Sequence, residues 1–274
     1  MSRGVGRILA FWLIVSGVGP YLWLAFQAFR MRSDITASPP SFNFAPTLQN
    51  FAWDYNGQSL VELLVSSTIV SGGTVLLSLA VGAPAAYFFA RFPSRWSRSL
   101  FLVVLSTRMA PPIALSLPLF VLLTFVGLRG SYLSLILAQT AFNVSFVVWF
   151  LQSAIEESPR EIEVAAQIDG RSWLGALADI VVPANAPALL AASAFVFLFS
   201  WNEYLLSSLL SNSLTRPITP ALPGFIAQAT SQWGNFCAVA LIASLPPILL
   251  AFFARGFLTR ALTIGLIDDR RRAR

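Results

Sequence analysis

The sequence predicts an all-α, polytopic membrane protein with six transmembrane helices, on three observations. The 274-residue chain is 56% hydrophobic and 11% charged, too little polar surface to cover its apolar side chains in water. Six apolar stretches are each long enough to cross a hydrocarbon core of about 30 Å, which takes about 20 helical residues. The arginines sit mainly at the ends of those stretches, where charge sets membrane orientation.

In order, the predicted spans are Ile8 to Phe29, Leu60 to Ala90, Leu100 to Phe125, Tyr132 to Gln152, Ala188 to Leu210 and Phe236 to Leu258. The first follows Arg3 and Arg7 but is longer than a signal core, with no small-residue cleavage pattern after it, so it reads as a retained anchor. The second carries Gly82 and Pro84, the third Pro111, Pro112 and Pro118, and the sixth Pro246 and Pro247. In lipid a carbonyl freed by such a break must be satisfied inside the protein, so together the breaks predict a bundle with an interior. Residues 1–274 read as a single transmembrane domain, without an internal repeat, low-complexity linker or soluble domain.

Orientation follows from the arginines. With the N terminus in the cytoplasm, the inside segments hold Arg3, Arg7, Arg91, Arg95, Arg98, Arg160, Arg171, Arg255, Arg260, Arg270, Arg271, Arg272 and Arg274. Outside lie Arg30, Arg32, Arg129 and Arg216, with Arg108 left within the third span. The bias places both termini in the cytoplasm, the loops 30–59 and 211–235 outside, and the segment 154–187 inside.

All 18 basic residues are Arg, there is no His, and Cys237 is the only cysteine. A phosphate-binding loop needs its Lys, and His-based zinc sites and Ser-His-Asp triads need imidazole. No catalytic, metal or cofactor residue is therefore predicted, and any ATP must be bound by another chain. The net charge of +6 does not point to nucleic acid, because the arginines flank apolar runs.

The cytoplasmic segment 154–187 is unusual in this chain for its acids: Glu156, Glu157, Glu161, Glu163 and Asp169. Ser158-Pro159-Arg160-Glu161 reads as a helix start, with Ser158 as N-cap, Pro159 in the first turn and Glu161 closing a capping box. Ile162, Ala165, Ala166 and Asp169 then recur at helical spacing, as do Val164 and Ile168. Gly170 permits a turn, and a second short helix, Arg171 to Val182, is expected to stop before Pro183. Two short helices joined at a glycine, with a small-residue face and acids at the rim, suit a knob that fits a groove on another protein. The alternative is an amphipathic linker on the membrane surface, against which the acids argue, since anionic headgroups repel carboxylates.

The order Glu163, Ala165-Ala166, Asp169-Gly170, then nine residues to Ile180 and finally Pro183, resembles the EAA loop of bacterial ABC importer permeases. "LSTRMAPPIALSLPLF" (Leu105 to Phe120), "FNVSFVVWFLQS" (Phe142 to Ser153) and "SWNEYL" (Ser200 to Leu205) look like the carbohydrate-uptake branch, in particular the MalG-like subunit of maltose-type systems. The resemblance runs from about Val65 to Gly265. It implies a permease subunit of a carbohydrate importer in the bacterial inner membrane, coupled to its ATPase through Glu161, Glu163, Val164, Ala165, Ala166, Asp169 and Gly170. The implied partners are a second MalG/MalF-type permease chain, an ATPase dimer that binds the ATP and Mg, and an extracytoplasmic sugar-binding protein that the loop from Asn212 to Trp233 would reach. One departure is that Val164 stands where the family pattern has Glu immediately before the two alanines, which displaces or removes any contact of that glutamate with the ATPase.

Glu203 lies well within the fifth span beside Trp201, Asn202 and Tyr204. A carboxylate there needs a partner or water, and an aromatic beside an amide and a carboxylate suits a polyol. One reading makes Trp201, Asn202 and Glu203 a translocation path; the other makes them a packed cluster that anchors helix depth. Asn143 in the fourth span reads equally as path or as glue between helices, and Arg108 as a group that snorkels inward or pairs with an acid. Two further functions are weaker: an ion-coupled transporter, which calls for acid relays and inverted repeats, and a membrane enzyme, which lacks the residues. A permease for a polyol, a glycerol phosphate or a polyamine stays open beside the sugar.

Overall fold

The computed structural model describes residues 3–38, 42–52, 54–55, 57–227 and 232–272, with side chains described as far as Phe253. Of the arginines assigned to the inside, Arg3, Arg255, Arg260, Arg270, Arg271, Arg272 and Arg274 lie outside the residues with described side chains.

The chain opens with a long helix, α1 (Arg3–Ala28), followed by a single turn, α2 (Arg32–Ile35), and a two-residue hairpin, β1 (Asp54–Tyr55) with β2 (Gln58–Ser59). The segment before the hairpin is tied back: the Asn50 amide donates to the Ala28 and Arg30 carbonyls at 2.8 and 2.7 Å, satisfying acceptors that the end of α1 leaves open. Next comes α3 (Leu60–Arg91), begun by a capping box in which Ser59 Oγ accepts from the Glu62 amide at 3.3 Å and Glu62 Oε2 accepts from the Ser59 amide at 2.7 Å. Then follow α4 (Arg95–Met109), α5 (Pro112–Phe125) and α6 (Tyr132–Glu157). Ser94 and Ser131 cap α4 and α6 through the amides of Ser97 and Ser134.

Among the described residues four helices are long and apolar enough to cross a membrane, or up to six spans if each of two bent pairs counts as one. The third predicted span is one such pair: α4 and α5 meet at 96°. Pro111 and Pro112 supply no amide hydrogen there, and α5 restarts with proline in its first turn.

The segment after α6 departs from the sequence expectation at its start. Ser158 is the C-cap of α6 and not an N-cap, because its hydroxyl bonds Asn185 Oδ1 at 2.9 Å and the Ala154 carbonyl at 3.3 Å. The short helix α7 (Glu161–Ile168) therefore begins at Glu161 without a side-chain cap. After it come α8 (Trp173–Ala176), a π-helical turn over Leu177–Val181, and α9 (Val182–Ala184). Pro183 does not stop this run as the sequence suggested: it falls in the first turn of α9, after a wide π turn. The chain breaks two residues later, at Asn185, and turns by 83° into α10 (Ala186–Trp201).

The fifth predicted span is also interrupted, ending as α10 and resuming as α11 (Leu205–Leu210). Residues 212–233, expected as a connecting loop, contain a helix, α12 (Ile218–Ala227), with Ile218, Ala221 and Phe225 buried in the bundle. The Ile218 amide donates to Ser67 Oγ of α3 at 2.8 Å, which fixes the helix start. Residues 228–231 of that predicted loop lie outside the described residues. The last helix is α13 (Trp233–Arg272).

The core sits between α3 and α6. Ala83, Ala86 and Tyr87 of α3 pack on Val147, Leu151 and Ile155 of α6, with Ala192 and Val196 of α10 closing the cluster. The two axes come close because Gly82 faces Val147: a Cβ there would lie 2.6 Å from Val147 Cγ1. Ala28 of α1 packs on Cys237 and Ala238 of α13. Outward faces of α1, α4 and α5 expose Leu13, Leu102 and Val121, as a hydrocarbon solvent requires.

Gly82→Ala should therefore destabilise the purified protein by about 1–3 kcal/mol through overpacking. Gly72→Ala on the same helix, where a Cβ meets nothing within 4 Å, should be neutral or better; thermal unfolding of the two variants in detergent checks the contrast.

Candidate functional site

Two regions carry polar chemistry into an otherwise apolar bundle. The first is the elbow formed by α7 and α8. Its turn follows from the sequence: Asp169 is the C-cap, Gly170 takes φ +88°, the Gly170 amide bonds the Gln167 carbonyl and the Arg171 amide bonds the Ala166 carbonyl. That pair of bonds closes a helix end that a residue with a side chain would strain. Ile162, Val164, Ile168, Trp173 and Leu174 are all exposed on the elbow, Ile168 at 80%. Glu161, Ala165, Asp169 and Gly170 are exposed beside them and Ala166 is partly covered. Glu156 and Glu157, at the end of α6, are also exposed, with Glu156 Oε1 accepting from Gln152 Nε2 at 2.6 Å.

Glu163 is the exception, and its expected place at the rim is corrected. It is 4% exposed and points inward onto Arg91, the last residue of α3, itself 6% exposed. Arg91 Nε donates to Oε1 and Oε2 at 3.0 and 3.1 Å, and Nη2 reaches Oε1 at 2.5 Å and the Ser158 carbonyl at 3.1 Å. A forked guanidinium–carboxylate contact of this kind fixes orientation as well as distance. Because Ser158 Oγ bonds Asn185, whose own amide donates to the Val181 carbonyl at 2.9 Å, the ends of α3 and α6, the start of α7 and the bend before α10 form one bonded unit. Trp173 of α8 lies parallel to Tyr87 of α3, rings 6.5 Å apart and 8° from coplanar. Across the elbow, Arg171 pairs with Asp179 at the surface.

The second region is a cavity of about 590 Å³ at the two helix breaks, lined among others by Arg108, Gln139, Asn143, Phe199, Asn202 and Glu203. Glu203 is a helix cap: Oε1 accepts from the Leu206 amide at 3.0 Å and Oε2 from the Ser207 amide at 2.9 Å. Those bonds occupy both oxygens of the carboxylate and restart the chain as α11. Asn143 bonds the Gln139 carbonyl through Nδ2 at 2.9 Å and faces Arg108 with Oδ1 at 3.4 Å. Gln139 joins three helices, its Nε2 donating to Ser207 Oγ at 3.1 Å and its Oε1 accepting from Ser200 Oγ. The Arg108 guanidinium sits 4.6 Å from the centre of the Phe199 ring.

The cavity gathers Asn143, Asn202 and Glu203 but not Trp201. That ring is 3% exposed, stacks on Phe197 and donates Nε1 to the Ala243 carbonyl of α13 at 3.0 Å. Trp201 is thus a packing residue here. Residues that sequence reasoning passed over are Arg91, which it counted only as an orientation charge, and Gln139, whose position inside an apolar run was a usable signal.

Over residues 78–264 the chain matches the family described as binding-protein-dependent transport system inner membrane component. It belongs to that family. This inner-membrane transport component is 32% identical over 270 residues to the probable ABC transporter permease protein y4oR of Sinorhizobium fredii, covering 97% of each chain. It is 28% identical over 253 residues to the trehalose transport system permease protein SugB of Mycobacterium tuberculosis, with 90% of this chain and 91% of that one covered. In structure it resembles a chain of a bacterial ABC transporter involved in the import of the acidic polysaccharide alginate, with TM-score 0.74, 16% identity, and 93% and 98% of the two chains covered. That likeness shows the fold.

Arg91→Met leaves Glu163 buried without its counter-charge, which should cost about 3–5 kcal/mol locally. Hydrogen exchange in the purified protein should then rise over 161–168 while the middle of α6 stays protected.

Proposed function

We propose that the chain is the permease subunit of an ATP-driven, binding-protein-dependent sugar importer, forming half of its translocation path and coupling it to a separate ATPase. The observation that carries the reading is the elbow: exposed Ile162, Val164, Ile168, Trp173 and Leu174 crown a unit whose base is bolted into the bundle by Arg91 and Glu163. An apolar knob of this kind suits a groove on a protein and not open solvent. Family membership and the names of the relatives support the sugar and the importer.

In this reading the elbow and both termini face the cytoplasm. Two ATPase subunits, which bind the ATP and Mg, sit under the elbow, a second permease chain of the same kind completes the path, and a sugar-binding protein docks on the opposite side. Closure of the ATPase pair pushes the knob. The buried pair passes that displacement to α3, and the bonded bend at Asn185 passes it to α10, so two spans tilt as the path alternates between inward-open and outward-open. Glu161, Val164, Ala165, Ala166, Asp169 and Gly170 meet the ATPase, and Glu163 positions the helix that presents them. The path runs through the cavity at the two helix breaks, where Asn143, Asn202 and Glu203 offer donors and acceptors to hydroxyl groups.

Cysteine at Ala166 or Ile168 should crosslink to the ATPase subunit in the assembled transporter; Cys237 is buried and gives little background. Crosslinks only to lipid would overturn the docking role. Glu203→Ala removes the α11 cap, at about 1 kcal/mol, together with a path acceptor. Uptake by this variant should fall severalfold at normal surface expression, and undiminished uptake would remove Glu203 from the path.

A further inference from the structure

The chain breaks between α10 and α11 beside the cavity, and the two sides of that break are anchored to different neighbours. On the α10 side, Trp201 donates Nε1 to the Ala243 carbonyl of α13 at 3.0 Å, and its own carbonyl accepts from Thr219 Oγ1 of α12 at 2.6 Å. On the α11 side, Leu206 and Leu210 pack with Leu123 of α5 and with Leu135 and Ala138 of α6, and the Leu210 carbonyl accepts from the Gly130 amide at 2.9 Å. The polar groups at the break are divided in the same way. Asn202 is the C-cap of α10, with Nδ2 bonded to the Leu198 carbonyl at 2.8 Å, whereas Glu203 caps α11. Their spacing therefore depends on the angle at the break. The link 202–204 is not helical, and a short irregular link between two helices is where backbone angles change most readily.

One side chain of α6 grips both sides. Gln139, 1% exposed on the cavity wall, accepts through Oε1 from Ser200 Oγ just before the break and donates Nε2 to Ser207 Oγ just after it at 3.1 Å. We infer that Gln139 is a positioning residue of the transport cycle: it sets the angle between α10 and α11, and with it the spacing of Asn202 and Glu203. The inference rests on the reading that the path runs through this cavity, and adds to it how the polar groups of the wall are held. An amide buried in an apolar bundle is costly without partners, so both bonds hold the break in one geometry. Both partners are hydroxyls, each able to donate or accept, so either orientation of the amide makes the same clamp. Gln139, Ser200 and Ser207 are all buried within this one chain, and the clamp needs no neighbouring subunit. In the coupling scheme above the elbow displaces α10. The clamp carries that displacement across to α6 and α11 instead of letting the irregular link absorb it.

The test uses the complete importer in proteoliposomes: both permease chains, the ATPase and the binding protein. Spin labels at Leu190→Cys on α10 and Ser208→Cys on α11, both exposed positions, report the angle as a distance, read without solute. Uptake per ATP hydrolysed is measured on the unlabelled complex. Wild type should give one narrow distance. Gln139→Met, which keeps the length of the side chain and loses the amide, should broaden it and lower uptake per ATP about fivefold. Gln139→Glu, whose carboxyl oxygens accept from both hydroxyls, should keep the narrow distance and most of the uptake. Ser207→Ala should lower uptake per ATP in the wild-type background but hardly at all in Gln139→Met, where the bond it removes is already gone. If Gln139→Met fails to assemble, Ser200→Ala and Ser207→Ala, which each remove one bond, should each broaden the distance. A distance unchanged in Gln139→Met or in both serine variants, or equal losses on adding Ser207→Ala to either background, would overturn the assignment and leave the path reading intact. A broadened distance with undiminished uptake per ATP would confirm the clamp and overturn the path through this cavity.

Discussion

A guanidinium and a carboxylate removed from water together cannot be separated cheaply. Arg91 and Glu163 are each almost fully buried and joined by forked hydrogen bonds, and either one stranded alone at that depth costs several kcal/mol. The first helix of the elbow therefore moves with the end of α3 or not at all. Everything else about the elbow depends on that tie: the apolar knob is presented at a fixed angle, Gly170 needs only to reverse the chain, and α8 can rest Trp173 on Tyr87 of the same helix that Arg91 ends.

The placement of Val164 becomes intelligible in the same terms. With Glu163 turned into the bundle, the next residue points outward, and an apolar side chain there joins Ile162 and Ile168 on the exposed face. The acid one place early is thus a structural anchor, and the exposed face of the elbow carries an apolar side chain at position 164. The elbow's remaining free acids, Glu161 and Asp169, stand at its rim.

Much of the fold was legible in the sequence, because a lipid solvent enforces long apolar runs and those runs place α1, α3, α6 and the start of α13. The turn at Gly170 was equally legible, since the Asp-Gly step after an apolar periodic stretch leaves few backbone choices. The two helix breaks were less so. Prolines marked the first, but Glu203, which caps the amides three and four residues on at the start of α11, reads in sequence as an intramembrane acid awaiting a ligand. Ser158 misled for a similar reason: its spacing to Glu161 fits a capping box, and only the arrival of Asn185 from 27 residues downstream takes its hydroxyl away. The Arg91 to Glu163 tie spans 72 residues and has no periodic signature. Such long-range pairings of single polar groups, made where three helices meet, hold the site together and are the part that local spacing does not encode.

The most direct measurement of the coupling claim is a charge exchange at the tie. In the reconstituted importer, Arg91→Glu and Glu163→Arg alone should each leave ATP hydrolysis running while solute uptake collapses, and the double variant, which restores the pair in reverse, should recover a substantial part of the uptake per ATP. Uptake per ATP that is unchanged in both single variants, with the complex intact, would contradict the account.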